Sequence, residues 1–129
     1  MLHSTKTSIN FMLFCLSILY FGSCSQQVGL EKTVQTLKET KTCVKCNLQQ
    51  SNLNYAKLAK ADLSEAVLDA SSMNGVDLKG ATLNSASFVK VDLSGSNLSG
   101  AVGKNVDFSQ AVMTNSKIIK TSFEESVFS

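Results

Sequence analysis

The residues in this sequence whose spacing most invites chemistry are Cys43 and Cys46, in Cys43-Val44-Lys45-Cys46. A Cys-x-x-Cys pair serves zinc sites and dithiol redox centres. A zinc site takes about four ligands, whereas this segment brings two thiolates, and the one histidine of the chain is the distant His3. Two copies of the motif, one from each subunit of a dimer, would make up four thiolates. Dithiol catalysis wants a helix N-terminus after a strand, in a fold that this sequence does not suggest. The aspartates Asp62, Asp77, Asp92 and Asp107 stand singly, so their spacing sets up no paired acid and base. A chain whose histidine is confined to its start has no Ser-His or Cys-His centre to offer. The expectation is a protein that is not an enzyme, with no metal and no cofactor.

The start of the chain has another purpose. Lys6 precedes an almost unbroken apolar run, Ile9 to Phe21, and no acid lies among the first eight residues. As a helix that run would reach about 20 Å, short of a hydrocarbon core of about 30 Å. A charged start, a short apolar run and then small residues make a secretory signal peptide. The small residues are Gly22-Ser23-Cys24-Ser25. Phe21-Gly22-Ser23-Cys24 resembles the lipobox of bacterial lipoproteins, whose cysteine is lipidated and becomes the first residue after cleavage. Phe21 departs from it, standing where leucine is commonest. The rival is ordinary cleavage after Ser23-Cys24-Ser25, before Gln26. The expected divisions are a signal peptide over 1–23, a tether and capping helix over 24–42, and a repeat domain over 43–129. On either cleavage the mature protein lies outside the cytoplasm, anchored to the membrane at Cys24 or secreted, where disulfides persist.

From Cys46 onward a period of five holds without insertion or deletion. The large apolar centres run from Leu48, Leu53, Leu58 and Leu63 to Ile118, Phe123 and Phe128, and sixteen of the seventeen are large, Gly103 being the exception. Two places before each centre stands a small residue, such as Ser51, Ala56, Ala61 or Val76. Five residues of α-helix advance about 500°, so the centres would share no face. On one long strand an odd period sends alternate centres to opposite sides. The pattern closes only if the chain turns a corner in every unit, with small residue and centre inward and the residue between them outward. That outward residue is Asn47, Asn52, Asp62, Asp77, Asp92, Asn97 or Asp107 in the best-formed units, and Gly75, Gly80, Gly95 and Gly100 sit at the second place of the bend. A type II turn asks for positive φ there, which glycine adopts at little cost. The expected class is an all-β solenoid.

Units such as Ala61-Asp62-Leu63-Ser64-Glu65 and Ser96-Asn97-Leu98-Ser99-Gly100 resemble the repeat of the pentapeptide-repeat family. The resemblance implies a right-handed quadrilateral β-helix with four units per coil, and slightly more than four coils here. Read every twenty residues, Leu48, Leu68, Phe88, Phe108 and Phe128 then form one column, suited to an aromatic ladder. Another column reads Leu63, Leu83, Gly103, Phe123, which predicts a void at Gly103 unless Phe123 leans into it, and a gain in stability for Gly103→Leu.

Both ends of a solenoid need cover. Leu30, Val34 and Leu37 share a face of the segment Gly29 to Thr42, which predicts a short amphipathic helix capping the first coil. Cys46 falls at the small inward place of the first unit, so a disulfide to Cys43 tying cap to coil is the preferred reading of that pair; buried thiols are the alternative. At the far end Ile118, Phe123 and Phe128 make an apolar layer, the expected surface of an end-to-end homodimer. Such dimers are what the family resemblance also implies.

The expected function is that of a structural or protein-interaction module at the envelope, with an unidentified protein partner. The resemblance also raises a DNA-mimicking, gyrase-protecting role, which demands a strongly acidic cytoplasmic rod. A net charge of +2 for the chain and an export signal oppose it. With no arginine and no tryptophan, neither phosphate clamps nor strong stacking platforms are present, and no nucleic acid partner is expected.

Overall fold

The computed structural model describes residues 21–129, and side chains from Gln26 onward. The expected signal peptide, over 1–23, therefore lies almost wholly outside the described residues. The first element among the described residues, α1, is the helix Phe21–Thr40. It starts well before the expected Gly29 and takes in the stretch read as a tether, which contains no proline to stop it. Leu37 is fully buried, and Leu30 and Val34 pack against the core. Opposite that stripe, Gln35 Nε2 donates to Glu39 Oε1 at 2.6 Å, one turn on. The helix stops at Thr40 because Lys41 adopts φ 58°, and the Lys41 N–H closes back on the Leu37 carbonyl at 2.8 Å.

After α1 the chain winds in steps of twenty residues. Parallel pairings link Thr42 to Asp62, Asp62 to Thr82 and Thr82 to Val102. The same line continues where β1 (Val102–Lys104) pairs with β2 (Ser122–Glu124). Three further lines of pairings, through Asn47 and Val67, Asn52 and Ser72, and Lys57 and Asp77, complete a four-sided coil. The rungs alternate in direction. The Leu48 N–H donates to Val67 O of the next coil at 2.7 Å, and the Val67 N–H donates back to Cys46 O at 2.9 Å. Pairing is so short on each side because the chain bends away after about three residues. Among the described residues extended β-strand is therefore confined to β1 and β2, although the whole repeat is bonded as a β-helix.

The corners explain how a five-residue unit closes. The Ser51 N–H reaches the Leu48 carbonyl at 3.2 Å, and the same bond recurs at Ala56 to Leu53 and Ala61 to Leu58. The second corner residue has positive φ at every corner from Lys45 to Glu125. Glycine fills that place at Gly75, Gly80, Gly95 and Gly100, but Lys60, Glu65 and Ala70 fill it equally. Left-handed backbone costs a residue with a side chain about 1–2 kcal/mol. Here the lattice offsets it, because the corner N–H also bonds the next coil, as from Lys60 to Lys79 O at 2.8 Å.

Inside, centres and small residues alternate as the sequence predicts. Leu48, Leu53, Leu58, Leu63, Met73 and Phe88 are fully buried, with Ala61, Ala66 and Ala81 between them. The four sides are numbered here by their centres. The first carries Leu63, Leu83, Gly103 and Phe123; the second Leu48, Leu68, Phe88, Phe108 and Phe128. The third carries Leu53, Met73, Leu93 and Met113; the fourth Leu58, Leu78, Leu98 and Ile118. On the second side Phe88 stacks on Phe108 at 5.1 Å between centroids, and Phe108 on Phe128 at 4.9 Å.

Two expectations need correction. The register begins one unit before Cys46: Cys43 is itself a centre, 4% exposed, and Lys45 after it has the corner φ of 59°. The void expected at Gly103 does not exist. A Cβ built there would stand 2.5 Å from Val106 Cγ2 and 3.3 Å from Leu83 Cβ. Val106, a large residue for a small place, already fills the gap, so Gly103→Leu would crowd the core rather than mend it.

Candidate functional site

Cys43 and Cys46 are joined by a disulfide, with Cα atoms 5.4 Å apart. The spacing follows from the repeat, since a centre and the small residue of the next unit are three places apart and meet across one corner. At most other corners a hydrogen bond from the small residue's N–H to the centre's carbonyl closes the bend; between Cys43 and Cys46 the sulfur link spans it. The link lies directly after α1, where the helix meets the first coil. Cys24 falls within the backbone of α1, and its side chain lies outside the described residues.

The outward aspartates and asparagines are structural. Asn47, Asn52, Asp77 and Asn97 each accept the backbone N–H two residues on, at 3.0 to 3.1 Å. Asp62 and Asp92 add the hydroxyl of Ser64 and of Ser94, at 2.6 Å in both cases. Hydroxyl and N–H of Ser64, Ser94 and Ser109 together hold the carboxyls of Asp62, Asp92 and Asp107 below the ordinary aspartate value. This brace was readable in the Asp-x-Ser triplets of those units, but weighing the acids only as paired catalysts passes over it. A second set of polar groups clamps coil to coil. Asn54 Oδ1 accepts from Ser72 Oγ and from the Asn74 N–H, both at 2.8 Å, and Asn84 Oδ1 accepts from the Lys104 N–H at 3.0 Å. These groups are committed to the backbone and to each other. Among the described residues no three Cys, His, Asp or Glu side chains converge on a metal-sized site.

The far end differs in character. The inward residues of the coil from Ala111 to Phe128 are half-buried or exposed, whereas those from Leu48 to Phe108 are all buried. Ile118 is exposed, Phe128 is 56% exposed, and Phe123 turns its ring edge-on to Phe108 at 5.2 Å. Val112, Ile119 and Val127 are exposed around them. The three residues named from the sequence thus fall in one layer. Phe123 is the best covered and Phe128 the least.

Two clefts flank α1, each of roughly 600 Å³ and open to solvent. One runs between Glu31, Lys38 and Asn52, the other between Thr33 and Asn47. Ser51, whose buried hydroxyl has no partner, lies in the wall of the first.

A family profile agrees with the geometry. The profile of pentapeptide repeats matches residues 46–84, 61–100 and 86–129, in eight copies. No curated protein matches the chain. Among solved structures, a pentapeptide-repeat protein from the cyanobacterium Cyanothece is similar at 17% identity, covering 77% of this chain and 99% of that one, with a TM-score of 0.43. One from the thylakoid lumen of Arabidopsis thaliana is 26% identical over 69% of this chain and 64% of its own, with a TM-score of 0.30. HetL of the cyanobacterium Nostoc, involved in regulating heterocyst differentiation, is 19% identical over 66% of this chain and 52% of its own, with a TM-score of 0.21.

Proposed function

Because this chain belongs to the pentapeptide-repeat family, we propose that it is a non-enzymatic structural and protein-interaction module that works outside the cytoplasm. On this reading it is a stiff, right-handed rod of slightly more than four coils. Helix α1 caps the first coil, and the Cys43–Cys46 link fastens cap to rod. A lipidated Cys24 holds it at the cell envelope, or cleavage before Gln26 releases it. The observation that carries the reading is how the polar groups are spent. Asp62, Asp92 and Asp107 brace corners, Asn54 and Asn84 clamp coils, and what remains for a partner is surface.

The strongest apolar surface is the end layer of Ile118, Phe123 and Phe128, and its occupant on this reading is a second copy of the chain. Stacking two such layers removes the exposed Phe128 ring from water, worth about 1.5–3 kcal/mol per fully buried ring.

Fractionation of cells that make the full chain tests the location. Protein in the membrane fraction that takes up labelled fatty acid at Cys24, and loses the label in Cys24→Ser, supports anchoring. Unlabelled protein in the culture fluid or periplasm supports cleavage before Gln26, and unprocessed protein in the cytosol refutes export. Sedimentation tests the dimer separately: dissociation on Phe128→Asp supports it, and a monomer at every concentration refutes it.

A further inference from the structure

Wound at twenty residues per coil, lysines that look scattered along the chain collect on one side. The repeat carries Lys45, Lys57, Lys60, Lys79, Lys90, Lys104, Lys117 and Lys120, and five of these eight lie on the fourth side or the corner that ends it. They are Lys57, Lys60, Lys79, Lys117 and Lys120, all exposed, and the one acid among them is Asp77. The remaining three sides hold three lysines against seven acids. A rod that is neutral in sum therefore has one strongly positive side.

None of these five ammonium groups forms an ion pair among the described residues. The ion pairs among the described residues are Lys45 with Glu65 and Lys104 with Glu125, both on the first side. Asp77, amid the lysines, spends its Oδ1 on the Lys79 backbone N–H at 3.0 Å. The surface is also smooth, because the corners on either edge of this side carry Gly75, Gly80, Gly95 and Gly100. Lys60 runs up over one of them, its Cγ 3.6 Å from where a Cβ on Gly80 would be. Two apolar groups accompany the charge. Ile119 stands between Lys117 and Lys120, 59% exposed, and Tyr55, 77% exposed, lies against Gly75 at the opposite edge.

We propose that the fourth side is a docking surface for an anionic phospholipid bilayer. A lysine ammonium is a point charge that suits a diffuse anionic plane, whereas reading individual phosphates calls for the planar fork of arginine, absent here. Nucleic acid binding also wants stacked aromatic platforms, and this side offers the single ring of Tyr55. Lysine with a tyrosine and an exposed aliphatic residue is the composition of groups that settle at a headgroup boundary. The surface needs no acyl chain on Cys24 and so stands apart from the anchoring reading. It would turn the long axis of the rod parallel to the membrane.

The test uses the full chain with vesicles of phosphatidylcholine alone and of phosphatidylcholine mixed with phosphatidylglycerol. The apolar run Ile9 to Phe21 meets both kinds of vesicle equally, so the ratio of the two affinities reads the charged side. Each lysine near an anionic surface contributes about fivefold, so the triple variant K57Q/K79Q/K117Q should lower that ratio by about a hundredfold, and raised salt should lower it too. The matched variant K45Q/K90Q/K104Q removes the same charge from the other sides and should leave most of the ratio intact. Equal losses in the two variants, or no preference for phosphatidylglycerol, would overturn the proposal. So would duplex DNA that strips the protein from vesicles at matched phosphate concentration. Unchanged circular dichroism in both variants separates loss of binding from loss of fold.

Discussion

The Cγ2 methyl of Val106 occupies the space that a side chain on Gly103 would enter, 2.5 Å from the position of its Cβ. Gly103 thus marks a place where two neighbouring residues have exchanged sizes. Gly103→Ala should lower stability by about 1–3 kcal/mol, the usual cost of overpacking a tight core. Val106→Ala on its own leaves a cavity, and the double variant should be less damaged than the sum of the two. Denaturant unfolding of the three variants measures that coupling, and simple additivity would show that the two sites do not share space.

Ser51, Ser71 and Ser96 sit at small inward places with their hydroxyls buried and unpartnered, whereas the Ser116 hydroxyl donates to Met113 O at 2.8 Å. A buried polar group without a partner costs about 1–3 kcal/mol. Ser71→Ala and Ser96→Ala should therefore be neutral or stabilising by about 1 kcal/mol, alanine being the commonest residue at equivalent places. Ser116→Ala should be the less favourable change of the three, as judged by thermal unfolding.

The braced aspartates give the fold a dependence on acid. Asp62, Asp92 and Asp107 have lowered pKa values in the folded chain, through the hydroxyl and N–H of Ser64, Ser94 and Ser109. A group with its folded value below its unfolded one stabilises above the unfolded value, near pH 4, and that contribution fades as pH falls through the folded value. Stability should hold near neutral pH and decline on acidification below about pH 4. The variant D62N/D92N/D107N should flatten that decline, because asparagine braces the same corners at Asn47, Asn52 and Asn97. Denaturation midpoints across the acid range provide the comparison.

Closing so short a loop as Cys43 to Cys46 restricts the unfolded chain by only about 2 kcal/mol. The pair C43A/C46A should cost roughly that, plus the packing lost at the buried Cys43, and the far end should stay folded. Hydrogen exchange with and without reductant reads this locally: faster exchange should be confined to residues beside α1 and the first coil.

Much of this was legible because a five-residue period leaves so few options. The inward places of Leu48 to Phe108 and the corners at Gly75 to Gly100 follow from residue size and turn chemistry alone. The aromatic column of Phe88, Phe108 and Phe128 needed only the step of twenty. Other features depend on relations that a period does not display. Cys43 does not look like a centre, because sulfur there does the work of leucine elsewhere. The gap at Gly103 is invisible as a filled one until Val106, three residues on, is seen leaning into it. The full extent of α1 does not show in the apolar stripe of Leu30, Val34 and Leu37, which marks only its second half. The lysine side was hidden most completely, since net charge averages over all four sides and Lys57 and Lys117 are neighbours only through three intervening rungs.

Everything assigned to a particular side rests on the chain returning to the same place every twenty residues. Paired cysteines at Ser87 and Asp107, bridge partners in adjacent coils, against a pair at Ser87 and Asn97, on opposite sides, test this directly. On mild oxidation, with peptide mapping to set native cysteines aside, the first pair should cross-link readily and the second should not. Cross-linking of the closer-spaced Ser87→Cys and Asn97→Cys pair in preference to the other would contradict the winding and every surface derived from it.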